Sequence, residues 1–171
     1  MTEPAATPTG ALSHVTVLDL SRVLAGPWCA QMLGDLGADV IKVENPDGGD
    51  DTRGWGPPFV KDAQGREGDA AYYLCANRNK RSIAVNLRDP DGQALIRELA
   101  AESDVVIENF RAGPLKRYGL DYDSLRAVRA DLIYCSITGF GHTGPEADTP
   151  GYDFLIQAMG GLMSVTGEDR P

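Results

Sequence analysis

Apolar residues fall along this chain in short β-forming runs, separated by helix-length stretches whose apolar positions lie on one side. VTVLDL at residues 15–20 is the first run. Gly26 and Pro27 follow, then WCAQMLGDLGA, where Ala30, Leu33, Leu36 and Gly37 share a small or apolar face at helical spacing. Pro27 suits the first turn of that helix, and DVIKVE at 39–44 reads as the next strand. A strand, a helix and a strand within about 30 residues suit a right-handed crossover in a parallel sheet.

Residues 45–69 are polar and rich in Gly, Pro and Asp, and they carry Arg53, Trp55 and Phe59. This stretch is expected to be a loop, and a loop of such length inside a compact domain is usually functional. A short helix is expected over 70–77 and a strand over RSIAVN at 81–86. A further helix is expected over 89–101, with Asp89 as N-cap and Pro90 in its first position. DVVIE at 104–108 and DLIYCSI at 131–137 read as strands. Residues 111–118 and 122–128 read as short helices about a turn at Gly119, Thr138–Tyr152 as loop, and 153–160 as helix. The alternation predicts an α/β fold with a mostly parallel sheet. No linker divides residues 12–171. Residues 1–11, small and Pro-rich, are expected to form a disordered tail. SVTGEDRP reads as the middle of a loop, so the domain is expected to be incomplete and the chain to continue.

Composition narrows the classes. A chain of 171 residues with 42% hydrophobic side chains can bury one real core. A net charge of −9 disfavours a general nucleic-acid surface, which needs a basic patch. No stretch is long and apolar enough to span a membrane, and residues 1–10 lack the pattern of a signal peptide. A cytoplasmic location is therefore expected. Cys29, Cys75 and Cys135 are far apart, odd in number and set in apolar stretches. They are expected to be buried reduced thiols, with no metal.

In open parallel sheets, ligands sit beyond the carboxyl ends of the strands. Here those ends carry Ser21–Pro27, Glu44–Asn45, Asn86–Arg88, Glu108–Arg111 and Thr138–Gly141. Polar and Gly-rich strand exits point to a ligand cleft, although exits are polar in most proteins. A dinucleotide fingerprint is not met: the first turn is LAGPWCAQ, with Pro27 and Trp28 where backbone must approach a pyrophosphate. Basic residues cluster at Arg78, Lys80 and Arg81, and Arg88, Arg111, Lys116 and Arg117 follow. Singly each is more often a solvated surface residue; together they suit a phosphorylated nucleotide. His14 and His142 are the only histidines and there is no G-x-S-x-G elbow.

The segment LSRVLAGPWCAQMLGDLGADVIKVENPDGGDDTRGWGPP resembles the family III CoA-transferases, and the match continues through NRNKRSIAVNLRDPDG, DVVIENFRAGPLKRYGLDYDSL, LIYCSITGFGHTGP and GYDFLIQAMGGLMSVTGE. The family, of CaiB/BaiF type, includes formyl-CoA transferase, carnitine CoA-transferase, succinate–hydroxymethylglutarate CoA-transferase and the related α-methylacyl-CoA racemases. The resemblance implies a Rossmann-like CoA-binding domain, of which this would be the amino-terminal part, in a homodimer whose subunits interlock. It implies coenzyme A, bound as acyl-CoA, and a carboxylic acid acceptor. By matching motifs the CoA contacts would be Val23, Leu24 and Ala25, then Asn45, then Val85, Asn86, Leu87 and Arg88. Asn109, Phe110, Arg111 and Arg117 would follow, with Gly151 in the GYD motif. Leu24 stands where formyl-CoA transferase has a Gln beside its reacting centre, which argues against oxalate or formate as substrate.

The family reaction uses an Asp carboxylate that attacks the thioester, giving a mixed anhydride and CoA thiolate. That Asp is expected beyond this segment; Asp169, still within the loop after TGE, does not match it. The racemases carry His-Asp where this chain has Tyr152 and Asp153. A Tyr with a pKa near 10 is a poor base at neutral pH, so a transferase is expected, with a racemase or a non-catalytic CoA-binding fragment as alternatives. Asp153 is a supporting candidate that can orient groups around the thioester, cap its helix, or both.

Overall fold

The structure, a computed structural model, describes residues 9–111 and 113–168. Val-, Ile- and Leu-rich runs form five parallel strands: β1 (Thr16–Asp19), β2 (Asp39–Glu44), β5 (Lys80–Ala84), β6 (Val105–Glu108) and β7 (Ile133–Ser136). Their order across the sheet is β5-β2-β1-β6-β7. The chain therefore steps outward from β1 on one side, returns, and steps outward on the other. The direction of winding reverses between β1 and β6, which is where a doubly wound sheet opens a crevice.

Side chains on successive strand residues point to opposite faces, and each face has its own core. On one face Val17, Val40 and Ile107 pack with Ala30 and Ala38, under α1 (Ala25–Asp35). On the other, Leu18, Val43 and Val106 pack with Ile96, Ala100, Leu115, Leu120 and Leu125. Those residues come from α3 (Pro90–Ala101), α4 (Pro114–Arg117), α5 (Tyr122–Arg126) and their connections. Asp89 caps α3 as expected, its carboxylate accepting from the Asp91 N–H at 2.9 Å. The remaining α-helices are α2 (Ala71–Asn77) and α6 (Asp153–Met159), the latter followed by a 3₁₀ turn at Leu162–Val165.

Several expectations are corrected. The 45–69 stretch holds structure: a 3₁₀ turn at Asp51–Gly54 and an antiparallel hairpin of β3 (Phe59–Lys61) and β4 (Glu67–Ala70). Asp62 builds its turn by accepting from the N–H groups of Gln64 and Arg66, and Gly65 supplies φ +78°. The buried stripe of α1 is Gly26, Pro27, Ala30, Gln31 and Gly34, while Leu36 is 51% exposed. Small residues are needed there: a Cβ on Gly34 would lie 3.2 Å from the Asn79 carbonyl oxygen. Cys75 is exposed, because α2 turns Tyr73, Ala76 and Asn77 inward, and Cys29 and Cys135 are only partly buried. Of the expected tail, residues 1–8 lie outside the described residues; a Cβ on Gly10 would meet Leu36 O at 2.4 Å, so Gly10 sits directly on the α1–β2 turn. Asp169 also lies outside the described residues. Among the described residues no helix is long and apolar enough to cross a membrane.

Ile96 is fully buried where α3 meets the sheet. Ile96→Ala should lower unfolding free energy by about 2–5 kcal/mol, read as a shifted urea midpoint with unchanged slope.

Candidate ligand site at the strand exits

Because all five strands run in one direction, their carboxyl ends share one edge. Val23, Leu24 and Ala25 follow β1, Asn45 follows β2, Val85–Arg88 follow β5, and Asn109–Arg111 follow β6. The GYD motif also reaches this edge. A Cβ on Gly139, just after β7, would meet the Gly151 Cα at 2.3 Å, and one on Gly151 would meet the Gly139 Cα at 2.4 Å. Backbone thus crosses backbone with no room for a side chain on either, which brings Tyr152 and Asp153 to the mouth of the sheet.

The two sides of the crevice are joined directly. The Asn109 side chain accepts from the Arg22 N–H at 2.8 Å and donates to the Arg22 carbonyl at 2.7 Å. Arg22 in turn lies 5.6 Å from the centre of the Phe110 ring. Asn86 accepts from the Arg88 N–H at 3.0 Å, a local turn that sets where Arg88 emerges. Val85 differs from its neighbours. Its side chain is buried in the core and its N–H donates to the Glu44 carbonyl, so it presents no side chain to a ligand.

Asp153 is not a cap. Tyr152 occupies the N-cap position without a side-chain bond, and the Asp153 carboxylate accepts from Gln157 Nε2 at 2.6 Å. As the first helical residue its side chain is directed along the helix rather than back to the free N–H groups. Tyr152 is 65% exposed.

The basic cluster at the start of β5 is also corrected. Arg78 pairs with Asp35 and Arg81 with Asp39, at the far ends of α1 and β2 from this edge. Lys80 is buried, its ammonium donating to Asp19 at 2.9 Å, the Pro27 carbonyl at 2.7 Å and Asn77 at 3.0 Å. Burial pushes the Lys80 pKa down, with Asp19 opposing. These cations are committed internally. In contrast Arg88, Arg111, Lys116 and Arg117 at the exits have no ion-pair partner among the described residues. Arg111 and Lys116 line a cavity of about 540 Å³ between the β6 and β7 exits and α4–α5, together with Glu108, Tyr122, Tyr134 and His142. His142 Nε2 lies 2.6 Å from Ser136 Oγ, which donates to Glu108. Serine stands in the middle of this chain, so it is not a nucleophile–base pair oriented by a carboxylate.

Beneath the exits lies a layer of buried charge that reading the sequence missed. Asp19, Lys42 and Ser82 are register neighbours across β1, β2 and β5. Lys42 donates to Asp50 at 2.9 Å and to the Ser21 carbonyl at 2.9 Å, with both charged side chains 1% exposed. Burial raises the Asp50 pKa, but Lys42 and the hydrogen bonds from Thr52 outweigh it and hold the carboxyl below its usual range. Asp50 also accepts from the Val23 N–H at 3.2 Å. Val23 has φ +69°, a left-handed conformation that costs a β-branched residue about 1–2 kcal/mol. Glu44 accepts from Arg53 Nε and Nη2, each at 2.7 Å, and also from Ser82, Tyr73 and the Asp50 N–H. The available signal was Lys42 and Glu44 on a strand otherwise buried on both faces, followed by carboxylates at Asp50 and Asp51.

Burial raises the Glu44 pKa, but Arg53 and the other donors outweigh it and bring it from 4.5 down to about 2. A folded-state value below the unfolded one stabilises fully above the unfolded value and is lost as pH falls through the folded one. The contribution is of order 3 kcal/mol. From about pH 5 to about pH 2.5, the parent chain should lose about 2–3 kcal/mol more stability than Glu44→Gln, measured by urea unfolding at each pH.

Comparison with known proteins follows the same outline. The sequence profile of CoA-transferase family III matches residues 12–171. The chain is 62% identical over 157 residues to succinate–glutarate CoA-transferase of Agrobacterium fabrum, covering 92% of this chain and 39% of that protein. It is 54% identical over 159 residues to human succinyl-CoA:glutarate CoA-transferase, covering 93% and 35%. The crystal structure of a CaiB/BaiF family protein from Brucella suis superposes with a TM-score of 0.87 at 58% identity, covering 96% of this chain and 42% of that one. The chain thus spans about two-fifths of the length of such relatives. With its parallel sheet, its exits and its motifs in collinear order, the chain belongs to CoA-transferase family III.

Proposed function

We propose that this chain holds coenzyme A across the carboxyl edge of its sheet, within a protein that moves CoA from an acyl-CoA to a carboxylic acid. The observation that carries this reading is the set of free cations at the exits of an otherwise acidic chain. Arg88, Arg111, Lys116 and Arg117 have no carboxylate partner among the described residues, whereas Arg78, Lys80 and Arg81 are each paired with an aspartate. A polyanionic ligand satisfies such groups. The Leu24, Ala25 and Gly26 N–H groups at the start of α1 have no partner among the described residues either, and oriented amides at a helix start favour an anion.

In this reading Val23–Ala25, Asn45, Asn86–Arg88, Asn109–Arg111, Arg117 and Gly151 line the path of the coenzyme, and Val85 contributes backbone alone. The reaction runs through an Asp carboxylate that lies beyond residue 171, Asp169 not matching it. It attacks the thioester carbon, the C–S bond breaks, and CoA leaves as thiolate, giving an acyl-aspartyl anhydride. CoA thiolate then attacks the aspartyl carbonyl, releasing the donor acid and leaving an aspartyl-CoA thioester. The acceptor carboxylate attacks that thioester, expelling CoA thiolate and forming a second anhydride; CoA thiolate then attacks the acceptor carbonyl, giving the new acyl-CoA and freeing the Asp carboxylate. Tyr152 and Asp153 stand near the thioester end as supporting groups, and Tyr152 in place of a histidine favours transfer over racemisation. The acceptors are short dicarboxylic acids, by analogy with the succinate and glutarate in the names of the relatives, and the working unit is an interlocked homodimer.

Calorimetric titration with free CoA should give micromolar binding, weakened about tenfold by Arg88→Ala through loss of one charge-assisted contact. A folded chain that binds no CoA at either this length or that of its relatives overturns the coenzyme assignment. With succinyl-CoA and glutarate, a chain of the relatives' length should form glutaryl-CoA; CoA binding without transfer to any dicarboxylate would limit the protein to coenzyme binding.

A further inference from the structure

We infer that Asp50 is a positioning residue for the β1–α1 turn, acting through the Val23 backbone and held in place by Lys42. The inference rests on the proposed coenzyme site but concerns Asp50 and Lys42, which do not line it.

Val23 is one of two non-glycine residues with positive φ among the described residues, the other being Asn79. Asparagine tolerates that region; a β-branched side chain resists it, so something must hold Val23 there. The Asp50 carboxylate does so by accepting its N–H at 3.2 and 3.4 Å. Asp50 is itself 2% exposed and is fixed from three directions. The Lys42 ammonium lies 2.9 Å away, the Thr52 N–H and hydroxyl donate at 3.0 and 2.7 Å, and the Asp50 N–H is tied to Glu44 at 2.8 Å. Lys42 closes the loop by donating to the Ser21 carbonyl at 2.9 Å, two residues before Val23. The turn is thus pinned at both ends by one buried ion pair.

The consequence lies one residue further on. With Val23 left-handed, the chain reverses immediately before α1, and the N–H groups of Leu24, Ala25 and Gly26 remain without partners among the described residues. If Val23 relaxed to an ordinary conformation, Leu24 and Ala25 would swing away from the exit. Asp50 therefore sets the conformation of a ligand loop that it does not itself extend.

The test pairs a charge-neutral replacement with a backbone rescue. Lys42→Met/Asp50→Leu removes both charges and the acceptor of the Val23 N–H together, so that no buried charge is left alone, and it is made in a chain of the relatives' length. CoA affinity should fall about tenfold with cooperative unfolding retained. Adding Val23→Gly, which adopts positive φ without strain, should restore affinity to within about threefold of the parent. A purely structural role for the pair predicts no such rescue. Parent-like affinity in the double replacement, or a loss that Val23→Gly leaves in place, overturns the inference. Amide hydrogen exchange reads the same clamp without ligand. Val23 protection should drop about tenfold or more in the double replacement while Val17 and Leu18 keep theirs. If the parent binds no CoA, that outcome counts against the coenzyme reading and the exchange measurement decides this one: equal Val23 protection in both chains overturns it.

Discussion

A charged side chain removed from water must be matched by an opposite charge and by hydrogen bonds, or the fold loses several kcal/mol. This protein carries three such matches side by side, directly below the edge where its loops emerge. Lys42–Asp50, Lys80–Asp19 and Glu44–Arg53 bind together β1, β2, β5, the start of α1 and the 3₁₀ turn after β2. Each partner comes from a different element, so none can shift without leaving a buried charge alone. The loops above inherit that rigidity. A site on flexible connections would have to be ordered by its ligand; here part of that ordering is already done by folding.

The apolar framework explains why the charges can sit there. Along β1 and β2 the α1-facing positions begin as Val17 and Val40 and end as Asp19, Lys42 and Glu44. The face is hydrophobic where α1 covers it and ionic where the sheet opens. The opposite face stays apolar through Leu18, Ile41 and Val43 against α3. On β6 the pattern is mirrored: Val105 and Ile107 join the α1 side, and Glu108 points into the other side's cavity. Thus each face of the sheet ends in polar groups at the same edge. Asn109 spans the break between them by holding both backbone groups of Arg22.

Much of this architecture could be read from the residues. Short runs of β-forming residues located every strand of the parallel sheet to within two residues. The Asp89-Pro90 start located α3, and the collinear motifs identified the family. What escaped was set by contacts between distant residues. The β3–β4 hairpin has short, polar strands that lack apolar alternation, so only the Asp62–Gly65 turn could have signalled it. Arg78, Lys80 and Arg81 look like an anion site in sequence, yet their partners Asp35, Asp19 and Asp39 lie more than 40 residues away. Leu36 fits the inward face of α1 by spacing, but the helix packs through its glycines and leaves Leu36 outside.

The sequence by itself determined the order and type of the elements, because hydrophobic periodicity and turn chemistry are local and act within a few residues. It also determined the family, because several motifs recur in one order. Only the tertiary structure decided which charges are available to a ligand. Whether a lysine is free or buried against a carboxylate depends on strand order and register. Those are settled by the packing of both sheet faces at once, and that information is spread over the whole chain rather than carried by any one segment.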